Sequence, residues 1–143
     1  MAVIFQILWG SVLLVGCISI HVGILVGAIL VLRSIGARLK NSARSLRWAL
    51  LIGTALAAIV SGHTIEVWIL AITVLAVGAL SGVGEAIYFA LVTYTTLGYG
   101  DVTLAPEFRI LGAFGSVTGL LAFGLSTAFL VGLFSSLLPQ DLD

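Results

Sequence analysis

The chain has 143 residues, of which 61% are hydrophobic and 8% charged, and its formal net charge is zero. Six basic and six acidic side chains cannot coat a soluble domain, in which about a quarter of residues are charged. A cytosolic enzyme, a disordered chain and a nucleic-acid binder are thereby excluded, and a mean hydropathy of +1.28 indicates an integral membrane protein. The charges are also unevenly placed: Arg33, Arg38, Lys40, Arg44 and Arg47 stand within fifteen residues, and every acid follows them.

A membrane helix needs about 20 mostly apolar residues. Residues 2–32 carry no Asp, Glu, Lys or Arg and read as a first, peripheral span, the domain 1–32. Leu14-Val15-Gly16-Cys17 resembles a lipoprotein cleavage box, but no basic region precedes it and the apolar run continues past Cys17. A cleavable signal has a positive start and a short apolar stretch, so the segment reads as a retained helix. A lone cysteine excludes an internal disulfide framework. His21 reads as a packed polar residue and not as a metal ligand, because no second ligand stands beside it at helical spacing.

Residues 33–47 form a basic linker. Basic residues near span ends stay on the cytoplasmic side, which puts the N-terminus outside and the C-terminus inside. If the linker is helical, Arg33, Lys40, Arg44 and Arg47 share one face. The cluster serves either as a topology signal alone or, together with Arg38, as a site for anionic lipid headgroups.

Residues 48–80 form the second span and hold one acid, Glu66. Glu66 and His63 are three apart and so lie on one helical face. Counted from Arg47, Glu66 falls roughly 28 Å along the helix, at the outer edge of the hydrocarbon core and level with the segment that follows. Ionisable residues at that depth are functional candidates. The pair either braces a neighbouring helix or senses pH, since an imidazole changes charge near neutrality.

Residues 81–109 are too polar and too rich in glycine and threonine for an ordinary span. A short helix is expected over 85–95, with Glu85 in its first turn, where a carboxylate suits the helix dipole. It is too short to cross a bilayer, so it must enter and turn back. Irregular backbone at membrane depth survives only when buried in protein or lining a water-filled path. Thr95-Thr96-Leu97-Gly98-Tyr99-Gly100-Asp101 follows. Aiming successive carbonyls one way needs left-handed dihedrals at alternate residues, which glycine adopts cheaply, and Gly98 and Gly100 are so placed. A third span is expected over 107–135, then a short tail, 137–143. In that span Gly112, Gly115 and Gly119 line one side, the last two at small-xxx-small spacing.

The 95–101 segment, placed after a short helix and between two spans, closely resembles the selectivity filter of potassium channels. The resemblance covers 85–132, and Gly119-Leu-Leu-Ala-Phe-Gly-Leu-Ser-Thr-Ala-Phe-Leu resembles the inner helix of prokaryotic two-helix channels. His63-Thr-Ile-Glu66 resembles a bacterial ion-channel-domain subgroup. The resemblance implies an all-α membrane protein whose pore domain, 48–136, assembles as a homotetramer in the bacterial inner membrane. It implies potassium ions held by carbonyls of Thr96, Leu97, Gly98 and Tyr99, beside Gly100, with no cofactor beyond the permeant ion and no catalytic residues. Gly119 falls where the family places a gating hinge, and Arg109 where many members carry a basic residue near the outer mouth. Phe123, Thr127, Val131 and Phe134 would face the inner pore. Filter support would come from Tyr88, Val92 and Asp101, with His63 and Glu66 behind them. Val92 stands where some bacterial channels carry a glutamate. Tyr88 replaces a tryptophan that commonly bonds the filter aspartate, and its hydroxyl is expected to reach Asp101. A weakly selective cation pore and a non-conducting assembly subunit are the alternatives.

Overall fold

The computed structural model describes residues 3–40 and 43–137. It is an all-α membrane protein in which, among the described residues, three helices are long and apolar enough to cross a bilayer: α1 (Val3–Arg38), α2 (Arg44–Ala76) and α4 (Arg109–Leu137, led by a 3-10 turn at Pro106–Phe108). A short fourth helix, α3 (Val83–Tyr94), lies between α2 and α4 in the chain and packs on both. Residues 138–143, which hold nearly all of the expected tail, are outside the described residues.

The helices do not stop where the apolar runs stop. α1 continues through Arg33 to Arg38, and α2 begins at Arg44, because arginine is a good helix former and helix formation does not require lipid. The expected linker 33–47 is therefore mostly helix. The two helices are separate, so Arg33, Lys40, Arg44 and Arg47 do not share one helical face. At its other end α2 stops at Ala76, short of the expected residue 80. Gly78 has φ +71°, the Gly78 N–H donates to Leu75 O at 3.0 Å, and the Ala79 N–H to Val74 O at 2.9 Å. This is the paired capping pattern that a left-handed glycine permits. α3 starts two residues earlier than expected, at Val83, behind Gly82 in an extended conformation. In the 3-10 turn before α4, Pro106 contributes a preset φ where no amide donor is needed.

α1 packs against α2 and α4. Near its start the buried Gln6 accepts a hydrogen bond from the Ile110 N–H at 3.1 Å. A methyl group on Gly10 would overlap the ring of Phe114, so α1 lies close against the first turns of α4. The main core joins the second half of α2 to α3 through Leu70, Ala71, Val74, Ala86, Phe89, Ala90 and Tyr94, with Leu104 and Ala122 beside them. The glycine stripe of α4 faces this core. A Cβ at Gly112 would meet Leu104 and Phe89 at 3.0 and 3.2 Å, and one at Gly115 would meet Leu70 at 2.7 Å. At Gly119 it would overlap the backbone carbonyl of Tyr94. These small residues let α4 approach α3 at backbone distance.

Candidate functional site

The close approach at Gly119 fixes the lower end of α3, and the chain beyond it forms the site. The Ser116 hydroxyl donates to Thr93 O at 3.0 Å, satisfying one of the carbonyls that every helix C-terminus leaves open. The Thr95 and Thr96 N–H groups donate to Leu91 O and Thr93 O, and the Gly98 N–H folds back to Val92 O at 3.2 Å. Val92 thus supports the following strand through its carbonyl.

From there the backbone alternates. Thr96, Gly98 and Gly100 have φ of 59°, 58° and 79°, left-handed at every second residue. Such alternation turns successive carbonyls toward one side of an extended strand. Glycine accepts the conformation without penalty, whereas a β-branched threonine does so at roughly 1–2 kcal/mol. The two glycines are legible in the sequence, whereas Thr96 is not, because its residue type carries no signal for this conformation. Local strain of this kind concentrates at functional sites. Nothing lies within 4 Å of the Cβ positions of Gly98 or Gly100, so backbone conformation alone calls for glycine there.

Beyond the strand, the Tyr88 hydroxyl donates to Asp101 Oδ2 at 2.6 Å, and the Val102 N–H donates to Asp101 Oδ1 at 3.0 Å. The Tyr88 hydrogen bond holds the Asp101 carboxyl below the usual carboxylate range. Arg109 donates its Nε–H to Leu104 O at 3.2 Å and so ties the start of α4 to the returning loop. Tyr99 is 68% exposed, so packing for its ring is not supplied within one chain.

Behind the strand lies a polar cluster that only part of the sequence reading anticipated. Tyr94, the last residue of α3, donates its hydroxyl to Glu66 Oε2 at 2.5 Å and lies 2.7 Å from His63 Nδ1. His21 joins from α1, with Nδ1 3.1 Å from Glu66 Oε2 and Nε2 2.9 Å from Ser126 Oγ. Ser126, on α4, is also 3.2 Å from His63 Nε2. Glu66 and His21 are each 1% exposed. His63 and Glu66 thus meet the last residue of α3, two positions before Thr96. His21 is buried and polar, and its partners come from two other helices, α2 and α4, which helical spacing cannot reveal.

On α4, Leu120, Phe123, Thr127, Val131 and Phe134 are exposed in the single chain. Phe123 is tied to the cluster by stacking on His63 with centroids 4.5 Å apart. Gly119 is buried against Tyr94, so the residue expected to act as a hinge is in this structure a packing contact. At the opposite end, Arg33, Lys40 and Arg47 edge a cavity of about 700 Å³ with apolar walls including Leu32, Leu51 and Leu133. Arg44 stacks over Trp48, its guanidinium carbon 5.1 Å from the ring centroid.

No curated protein and no solved structure shows a significant match to the chain. Residues 56–136 match the family described as "Ion channel". The match takes in most of α2, all of α3, the alternating strand and nearly all of α4, more than half the chain, which therefore belongs to the ion channel family.

Proposed function

We propose that the protein is a homotetrameric potassium-selective channel. The observation that carries this reading is the left-handed alternation at Thr96, Gly98 and Gly100, which lets carbonyls of Thr96, Leu97, Gly98 and Tyr99 replace an ion's hydration shell. One strand cannot surround an ion, and residues 95–100 are exposed in the single chain, so four chains converge and cover one another. The exposed apolar residues of α4, Leu120, Phe123, Val131 and Phe134, then line the inner pore. The C-terminal end of α3 directs its partial negative charge toward the cavity and favours a cation there. The basic end of α1 and the start of α2 face the cytoplasm, with Arg33, Lys40 and Arg47 placed to hold anionic lipid headgroups. The N-terminus is then outside and the membrane is a bacterial inner membrane.

The test is flux through purified protein in liposomes, measured with potassium and again with sodium. Potassium flux well above sodium flux, with selectivity lost in Gly100→Ala, is expected. Equal fluxes would make the protein a weakly selective cation pore, and no flux a non-conducting subunit.

A further inference from the structure

Glu66, His21, Ser126, His63 and Tyr94 form a closed ring of five polar contacts. Each contact needs one hydrogen. Two neutral imidazoles, one serine and one tyrosine supply four, and an ionised Glu66 supplies none. The ring is one cationic equivalent short. Glu66 Oε1 adds to the excess of acceptors, being buried with no hydrogen-bond partner among the described residues.

We propose that the ring is a binding site for a divalent transition metal of the zinc class, held by His21 Nδ1, His63 Nδ1 and Glu66 Oε2, with Tyr94 Oη at the fourth corner. The three nitrogen and carboxylate ligand atoms lie within 4.8 Å of one another, with His21 Nδ1 at 3.1 Å and His63 Nδ1 at 3.9 Å from Glu66 Oε2. Zinc bonds of about 2.0–2.2 Å put tetrahedral corners about 3.3–3.6 Å apart, so the two histidine nitrogens lie within about 0.6 Å of the required separation from Glu66 Oε2, and the Tyr94 oxygen has to move out by about 1 Å. The outer shell also fits. When Ser126 Oγ accepts from both Nε2–H groups, both imidazoles are fixed as the tautomer with a lone pair on Nδ1, which lies beside Glu66 Oε2 in His21 and beside Tyr94 Oη in His63. Such second-nitrogen hydrogen bonds orient metal-ligating histidines. Two imidazoles with carboxylate and phenol oxygens suit zinc or cobalt. They do not suit calcium, which takes six to eight oxygens.

The charges balance. With five hydrogens the ring is neutral, the fifth offsetting the charge of Glu66. A dication displaces two protons, the extra ring proton and the Tyr94 phenol proton, and the site stays neutral against Glu66 carboxylate and Tyr94 phenolate. A route in is provided by a cavity of about 340 Å³ lined by His63, Tyr94, Thr95 and Phe123 among others. The bound ion would join α1 and α2 to the last residue of α3, two positions before Thr96.

The experiment uses the full chain, tag removed, in detergent after treatment with a chelator. Cobalt(II) is added and visible absorption recorded, followed by competition with zinc. One cobalt per chain with the strong visible bands of four-coordinate cobalt, lost on adding zinc, is expected. Calorimetry in buffers of different ionisation heat should read two protons released per zinc. Ser126→Ala should weaken binding about 10–100-fold, His21→Gln should weaken it at least as much, and Cys17→Ala should change nothing. Wild-type protein that takes up no cobalt, as a ring closed by a proton alone would, overturns the proposal. So does a weak six-coordinate spectrum, or equal uptake by wild type and Ser126→Ala. Should His21→Gln fail to fold, the wild-type spectrum and Ser126→Ala decide. None of these readouts depends on ion selectivity, so failure of the metal site and failure of the channel reading are separately visible.

Discussion

Gly119→Ala tests the contact that anchors the end of α3, from which the alternating strand at residues 96–100 leaves. The added methyl group would overlap the Tyr94 carbonyl oxygen and come 2.8 Å from its carbonyl carbon. A flexible side chain could rotate away, but backbone at the end of a packed helix cannot. Overpacking typically costs about 1–3 kcal/mol, and the upper end applies when the obstacle is main chain. Alanine recovers about 1 kcal/mol of helix propensity, leaving a net loss of about 2 kcal/mol per chain. Gly23→Ala in α1 is the control, because nothing lies within 4 Å of its Cβ position. It should gain up to about 1 kcal/mol, which puts the two variants about 3 kcal/mol apart. Denaturant unfolding in detergent micelles measures the difference, and flux in liposomes reports the displaced strand. Gly119→Ala as stable as Gly23→Ala, with undisturbed flux, would refute the role assigned to this contact.

Three further outcomes are expected. Tyr88→Phe removes the hydroxyl that holds the Asp101 carboxyl below its usual range. Because the folded value is depressed, the stabilisation is present above the unfolded carboxylate value and is lost as pH falls through the folded one. The variant's Asp101 should therefore titrate at higher pH by carboxyl NMR, and an unchanged midpoint would reject the bond. Val131→Asp places a charge on the exposed face of the lower half of α4 and should hydrate an apolar constriction there, raising open probability in bilayer recordings; an unchanged or lower value puts the gate elsewhere. In a Cys17→Ala background, Ser81→Cys should react with a membrane-impermeant thiol reagent outside intact cells and Lys40→Cys should not, and the reverse pattern would invert the topology.

The spans were legible in the sequence because charge is excluded from lipid, so the uncharged runs at 2–32 and 110–140 announce helices. Gly98 and Gly100 were legible because alternating left-handed backbone has a residue-type signature. Helix ends were less so. α1 outlasts its apolar run because its arginines favour helix, and α2 stops early because Gly78 caps it, a glycine whose role depends on its dihedral angle. Thr96 carries the same backbone conformation as the glycines with no compositional trace. The ring around Glu66 was half visible: His63 is three residues away, whereas His21 and Ser126 come from helices whose contact is a tertiary fact.

Potassium selectivity is the property proposed for residues 96–100. It is tested most directly by the reversal potential of the protein in a planar bilayer, with potassium on one side and sodium at equal concentration on the other. Carbonyls aligned by the alternation at Thr96, Gly98 and Gly100 predict a reversal potential displaced far toward the potassium equilibrium potential, and displaced much less in Gly98→Ala. A reversal potential near zero in the wild type, or one unaltered by Gly98→Ala, would contradict it.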